Sequence, residues 1–444
     1  MQPMDPEVHA GLHAAWAIPF LGVLLSIALL PMLAPRLWHR RMAWVMGAWI
    51  AALLAPWAAV WGAPAAGRLA WHAILVEYLP FVTLLLALYT AAGGILLRGL
   101  IAGTPGGNAG LLAAGTLLAG VMGTTGAAMV LIHPLMRANA HRRRKVHLAI
   151  FFMILVANAG GALSPLGDPP LYLGYLHGVP FFWPLRHLGP PLGVLAALML
   201  GLFYATDRVL ARDEPAAPRR ERLRVRGWHN LVLIAVVIAA TLLQARIGGA
   251  LVLGGEVIPT GRAVAVLAFL GVSGVSILST PRAVHQGNDF SWHPMAEVAL
   301  LFAAIFITIA PVLRMLEAGR AGPFAPVLAL LEDSQGNRSP SAFFWLTGLL
   351  SAFLDNAPTY LVFFGLGDVR PETLDGARNV VLEAVSAGAV FFGALTYIGN
   401  APNMMLRAIA SHRGVRMPGF FAFTATVAVL LLPVFAILTL LFFR

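Results

Sequence analysis

Long apolar runs alternate along this chain with short polar or basic loops, and the lengths of the runs decide the reading. Stretches of about 17–25 mostly apolar residues match helices crossing a ~30 Å hydrocarbon core, whereas a barrel needs short alternating strands. The pattern predicts spanning helices over residues 14–33, 43–61 and 74–97, then apolar runs over 111–136, 148–182 and 188–204. After a polar, arginine-rich stretch it resumes over 228–243, 263–279, 294–316, 341–366, 379–409 and 419–443. Two runs are broken at their centres, 111–136 by Gly120, Gly123 and Gly126, and 341–366 by Asp355-Asn356-Ala357-Pro358. Each reads as two half-helices of about ten residues, ~15 Å apiece.

Charge converts the runs into a topology. Basic clusters at Arg36, Arg40 and Arg41, at Arg137 and Arg142 to Lys145, at Arg208 to Arg226, and at Arg407, Arg413 and Arg416 mark cytoplasmic loops. If 111–136 crossed fully, Arg98 and the Arg142 cluster would fall on opposite faces, so it is expected to be a re-entrant hairpin. The same parity makes 341–366 a hairpin entering from the other side. The expected fold class is therefore an all-α polytopic membrane protein, an inverted repeat of five transmembrane helices plus one re-entrant hairpin per half. The first repeat is expected over 14–204, a basic cytoplasmic linker over 205–227 and the second repeat over 228–443, with both termini outside.

Composition narrows the class further. Of 444 residues, 59% are hydrophobic and 11% charged, too apolar for a water-soluble globule. The net charge of +11 resides in loops, which fits an orientation signal and not a nucleic-acid surface. There is no cysteine, so thiolate ligation and disulfides are excluded. Residues 1–10 carry Asp5 and Glu7 but no lysine or arginine, so the first apolar run is expected to remain as a helix and not to be a signal peptide. No Gly-rich loop followed by Lys-Ser/Thr occurs, which disfavours an ATP-driven pump. No cofactor is expected.

The candidate chemistry lies where helices break. Gly161-Ala-Leu-Ser-Pro-Leu-Gly-Asp-Pro-Pro170 returns as Gly393-Ala-Leu-Thr-Tyr-Ile-Gly-Asn-Ala-Pro402, and Trp71-His72 to Glu77 is echoed by Trp292-His293 to Glu297. Aligning the tip residues Thr124-Thr125 with Asp355-Asn356 puts tip and breaker 44 residues apart in one half and 45 in the other. Matched interruptions of this kind point to a midplane site in secondary transporters. Around them lie Asn158, Ser164, Asp168, Thr124, Thr125, Asp355, Asn356, Thr359, Thr396, Asn400 and Asn403. These are oxygen ligands suited to a hard monovalent cation, with Asp355 and Asp168 as the sodium candidates. An intramembrane acid marks an ion or proton site, but Asp355 also reads as a helix cap, and Asp168 before proline as a helix start. Glu297 and Glu77 are candidate proton relays or solvated interfacial acids. Glu383 reads as interfacial, and His133 as a packed, hydrogen-bonded histidine.

Ala157-Asn-Ala-Gly-Gly-Ala-Leu-Ser-Pro-Leu-Gly-Asp-Pro-Pro170, Gly123-Thr-Thr-Gly126, Ser351-Ala-Phe-Leu-Asp-Asn-Ala-Pro358 and Thr396-Tyr-Ile-Gly-Asn-Ala-Pro-Asn403 together resemble the signatures of the ion transporter superfamily. That superfamily includes NhaD-type sodium/proton antiporters, arsenite permeases, citrate carriers and divalent-anion/sodium symporters, and the resemblance covers nearly the whole chain. It implies a mobile transport domain with both hairpins and both broken helices, a scaffold that dimerises, and elevator-type movement in the bacterial inner membrane. Dicarboxylate symporters of the group present Ser-Asn-Thr clusters, whereas this chain has Asp355 at one tip and no arginine beside either break. Sodium or lithium exchange for protons is the first reading. A sodium- or proton-coupled transporter of citrate, another carboxylate or arsenite is the alternative, and a membrane-embedded enzyme lacks an evident set of catalytic partners.

Overall fold

The computed structural model describes residues 12–215, 221–369 and 376–444. The acidic amino-terminal stretch with Asp5 and Glu7, and the linker arginines Arg219 and Arg220, lie outside the described residues. Among those described, eight helices are long and apolar enough to cross a membrane, and His229–Leu243, Pro340–Phe353 and Asn379–Leu395 are shorter apolar helices. The protein is an all-α polytopic membrane protein, with sheet limited to two short ribbons.

The first half comprises α1 (Ile18–Leu33), α2 (Pro35–Trp61), α3 (Ala63–His72), α4 (Leu79–Gly93), α5 (Pro105–Met122), α6 (Thr124–Ala138), α7 (Val146–Leu155), α8 (Pro169–Leu176) and α9 (Gly189–Leu210). The second comprises α10 (His229–Leu243), α11 (Thr260–Ser279), α12 (His293–Glu317), α13 (Pro340–Phe353), α14 (Asn356–Leu366), α15 (Gly376–Phe391), α16 (Ala401–His412) and α17 (Phe420–Phe442). The third span begins earlier than the expected residue 74. α3 continues through a π-turn at Ala73–Tyr78 into α4, giving one 31-residue helix, Ala63–Gly93. Pro80 has no N–H to give to the carbonyl four residues back, and the widened turn absorbs that missing bond.

Each of the two centrally broken runs folds as a pair of short helices joined by a turn. α5 turns into α6 at Gly123, whose φ of 80° lies in the left-handed region open to glycine. α13 turns into α14 through extended backbone at Leu354 and Asp355. α13 also packs closely along α15, where Gly348 meets the Phe392 ring and Gly388 the Phe344 carbonyl.

Tertiary contacts assign the two ends of the bundle. Arg137 donates to the Leu97 carbonyl (2.6 Å), Arg413 meets His133, and Trp38 donates to Glu297 (3.3 Å). A two-stranded ribbon pairs β1 (Leu96–Arg98) with β2 (Arg224–Arg226). The basic loops are thereby collected at one end. The opposite end carries the ribbon of β3 (Ala250–Leu253) and β4 (Glu256–Pro259), the His72–Glu256 pair (2.8 Å) and the His187–Glu383 pair (2.7 Å). Arg338, at the foot of the second hairpin, donates there to the Leu366 carbonyl (3.2 Å).

The foot of the first hairpin is clamped by a buried polar cluster. Asn108 on α5 and Asn139 after α6 exchange amide hydrogen bonds of 3.0 and 2.8 Å. Asn108 also donates to Asp207 on α9 (2.9 Å), and Arg142 and His147 bond the other oxygen of the same carboxylate. Asp207 is 0% exposed, so its charge is tolerable only because every partner is present. Beside it, the backbone amides of Arg143 and Arg144 hold the Glu214 carboxyl below its ordinary range.

Removing Asp207 leaves Arg142 buried and uncompensated. Asp207→Ala is expected to cost about 3–5 kcal/mol, read as a lowered unfolding midpoint of detergent-purified protein. Asp207→Asn should shift it less, because the amide still occupies the site.

Candidate functional site

Four half-helices begin at the middle of the bundle: α6, α8, α14 and α16. Their N-cap residues are Gly123, Asp168, Asp355 and Asn400. An N-cap carboxylate ordinarily accepts from the second or third helical N–H. In α8 the first two positions are Pro169 and Pro170, which have none, and the Asp168 side chain makes no capping bond. Its carboxylate is free to bind elsewhere. One oxygen accepts from Thr124 Oγ1 (3.4 Å) and Asn400 Nδ2 (3.4 Å), the other from Asn356 Nδ2 (2.6 Å). Asp168, 1% exposed, thus gathers a donor from each of the other three half-helices.

Close approach of backbone makes this possible. Gly161 lies so near Asp168 and Thr124 that an added Cβ would fall 2.8 Å from each, which no side chain tolerates. Thr124 N–H donates to the Gly167 carbonyl (2.9 Å), tying the first tip to the first break. Ser164 Oγ donates to the Gly120 carbonyl (2.5 Å), and Thr396 Oγ1 to the Ala352 carbonyl (2.5 Å), each bond spanning 44 residues. The same hydroxyls also accept from Leu166 N (3.1 Å) and Ile398 N (3.2 Å). This correspondence matches Thr124 with Asn356 and Gly123 with Asp355, one residue away from the alignment expected from sequence, and makes the tip-to-break spacing equal in both halves.

The predicted residues separate into three groups. Asp168, Thr124, Asn356 and Asn400 form the centre. Thr124, Thr125, Asp355, Asn356 and Asn400 line an adjoining cavity of about 90 Å³, with Leu88, Met122, Tyr172, Met295 and Phe302 among its apolar walls. Ser164 and Thr396 brace the breaks, Thr359 donates to the Asp355 carbonyl (2.9 Å), and Asn158 and Asn403 cross-link the halves. Asn158 Nδ2 donates to Asn403 Oδ1 (2.8 Å) and to Met153 O (2.8 Å). Asn403 Nδ2 bonds the Gly393 and Thr396 carbonyls, 2.9 Å each. Neither Glu297, held by Trp38, nor Glu77, 3.8 Å from His177, lines the cavity. His133 is buried between Arg413 and Asp289.

Two features fix the electrostatics. No lysine or arginine lines the cavity. The four helix N-termini each present roughly half a positive charge, so together they offset on the order of the two carboxylates. One acceptor stands unfilled. Asn356 gives its nitrogen to Asp168, and its buried Oδ1 has no hydrogen-bond partner. Flipping that amide would set oxygen against oxygen, so its orientation is fixed.

Two further buried contacts carry only weak sequence signals: Arg262, just ahead of the apolar run 263–279, which bonds the Val76 and Leu176 carbonyls, and Asp207, just beyond the run 188–204.

The family described as "Putative citrate transport" matches residues 9–443. A protein of Mycobacterium tuberculosis named as an uncharacterized transporter is 26% identical over 306 residues, covering 65% of this chain and 65% of its own length. A "46 kDa membrane protein" of Mycobacterium leprae is 25% identical over 298 residues, 64% of each chain. The chain thus spans less than two thirds of the length of these relatives.

Thr396→Val keeps the side-chain shape but strands the buried Ala352 carbonyl, which is expected to cost about 1–3 kcal/mol. Ser164→Ala should cost a similar amount, and Thr396→Ser close to nothing. Unfolding midpoints of the purified variants measure all three.

Proposed function

The chain belongs to the family described as "Putative citrate transport", and from the geometry of its centre we propose a secondary active transporter exchanging sodium or lithium ions for protons. The observation that carries this reading is the unfilled Asn356 Oδ1 beside the half-buried Asp355 carboxylate and the Thr124 and Thr125 hydroxyls. These groups offer acceptor oxygens to a cavity without a basic side chain, which suits a small hard cation. A proton and a cation compete for the same carboxylate, so one site alternately loaded gives exchange. Asp355 lines the cavity. Asp168, already holding three donors, sets the position of Asn356 and Asn400 around it.

A second reading has its own support. Four helix N-termini favour an anion, and with the two carboxylates nearly offset, a bound cation would let a carboxylate or other small oxyanion follow. That reading is coupled uptake of an anion such as citrate or arsenite, and the family description favours it.

In either case we infer two related halves, residues 14–204 and 228–443, joined by the basic linker. The hairpins and broken helices interlock through Asp168, Asn158 and Asn403 and would move as one body against α4 and α12, which form the far wall of the cavity. The setting inferred is the bacterial inner membrane, with the basic loops cytoplasmic and the working unit a homodimer.

Protein reconstituted in liposomes with a preset pH gradient tests the exchange. Adding Na⁺ or Li⁺ is expected to release the gradient, and Asp355→Asn to slow that release at least tenfold. If citrate drives uptake while Na⁺ and Li⁺ alone do nothing, the anion reading replaces the exchange; full activity in Asp355→Asn removes Asp355 from the site.

A further inference from the structure

The half-helix that carries Asp168 at its N-terminus is gripped at its other end. α8 is eight residues long, about 12 Å, and ends at Leu176 on the face away from the basic loops. Three consecutive residues there, Tyr175, Leu176 and His177, touch three separate elements of the surrounding helices. Tyr175 OH donates to the Thr241 carbonyl on α10 (2.5 Å). Arg262, in the first turn of α11, donates through Nη2 to the Leu176 carbonyl (3.0 Å) and through Nη1 to the Val76 carbonyl (3.2 Å). His177 Nε2 lies 3.8 Å from Glu77.

Both carbonyls taken by Arg262 are free for a physical reason. Leu176 ends α8, so its C=O has no helical N–H to accept from, and a guanidinium there also meets the negative end of the helix. Val76 precedes Pro80 by four residues, and proline has no N–H to give it. The π-turn at Ala73–Tyr78 and the end of α8 therefore each present an orphan oxygen, and one planar fork joins them.

The cavity adjoins the N-terminal part of α8, through Pro169 and Tyr172, and not its gripped end. Its lining reaches Tyr89, Pro294 and Met295, close to the basic-loop end, where Tyr89 OH donates to the Ser291 carbonyl (2.7 Å). The lining thus extends toward the basic face, while the α8 grip stands on the opposite one.

We propose that Arg262, with Thr241, is an outer latch on α8, and that its release from Leu176 is required before the Asp168 centre can open to the face away from the basic loops. Arg262 touches no transported ion and is a positioning residue acting through α8. The inference rests on the reading of the centre as a transport site, but on neither choice of ion.

The absence of cysteine gives a clean test. Met405, which lines the cavity, is replaced by cysteine, and labelling by a membrane-impermeant maleimide is timed in intact cells and in inverted membrane vesicles. The parent Met405→Cys protein is expected to label in inverted vesicles and hardly at all in cells. Adding Arg262→Ala should raise labelling in cells at least fivefold, and Arg262→Lys, which keeps the charge but not the fork, should give a smaller rise. Where Arg262→Ala does not accumulate, Tyr175→Phe removes one grip and should raise labelling about twofold. Unchanged labelling in cells for a folded Arg262→Ala or Tyr175→Phe protein overturns the latch. Failure of the parent to label from either side instead counts against the transport reading, because labelling measures access and not flux.

Discussion

A carboxylate in the middle of a membrane bundle must be surrounded by donors, and meeting that requirement at Asp168 shapes everything near it. Continuous helices have no backbone N–H to spare, because these are spent on their own carbonyls, so the donors must come from side chains or helix ends. Here four helices stop at one level, each exposing an N-terminus, and three of them send a hydroxyl or amide to Asp168. The proline pair after Asp168 is what frees its oxygens from local capping. The glycines at the breaks let the backbones come within reach, and the hydroxyls of Ser164 and Thr396 occupy carbonyls that the interruption would otherwise leave bare.

Much of this arrangement could be read from the chain before any coordinates, and the reason is local. A helix break requires glycine and proline, a hairpin requires an interruption at half the membrane thickness, and basic loops must fall on one side. Those constraints gave both hairpins, both broken helices and the set of residues around them. They could not fix the alignment of the two tips to a single residue, since Thr124-Thr125 and Asp355-Asn356 look interchangeable until the Gly120 and Ala352 carbonyls are seen to be bonded in the same way. Nor could they say which oxygens face the cavity. Ser164, Thr359 and Thr396 are the right chemistry in the right place, yet each hydroxyl is committed to a backbone carbonyl.

What stayed hidden was long-range pairing. Asp207 and Arg142, or Arg262 and Leu176, are 65 and 86 residues apart, and no periodicity links them. The asparagines make the same point. Asn158 and Asn403 fall at different places in the two break motifs, 245 residues apart, yet they bond across the centre at 2.8 Å.

Gly123 and Asp355 occupy the same structural position, one at each hairpin tip, and only the glycine needs its backbone conformation, with φ of 80° against −61°. The Asp355 tip is ordinary extended backbone that many residues adopt. Its side chain caps α14 by accepting from the Ala357 N–H (3.4 Å), a bond that an asparagine or serine also makes, so the charge of the cavity wall can change while the cap and the interlocked breaks remain.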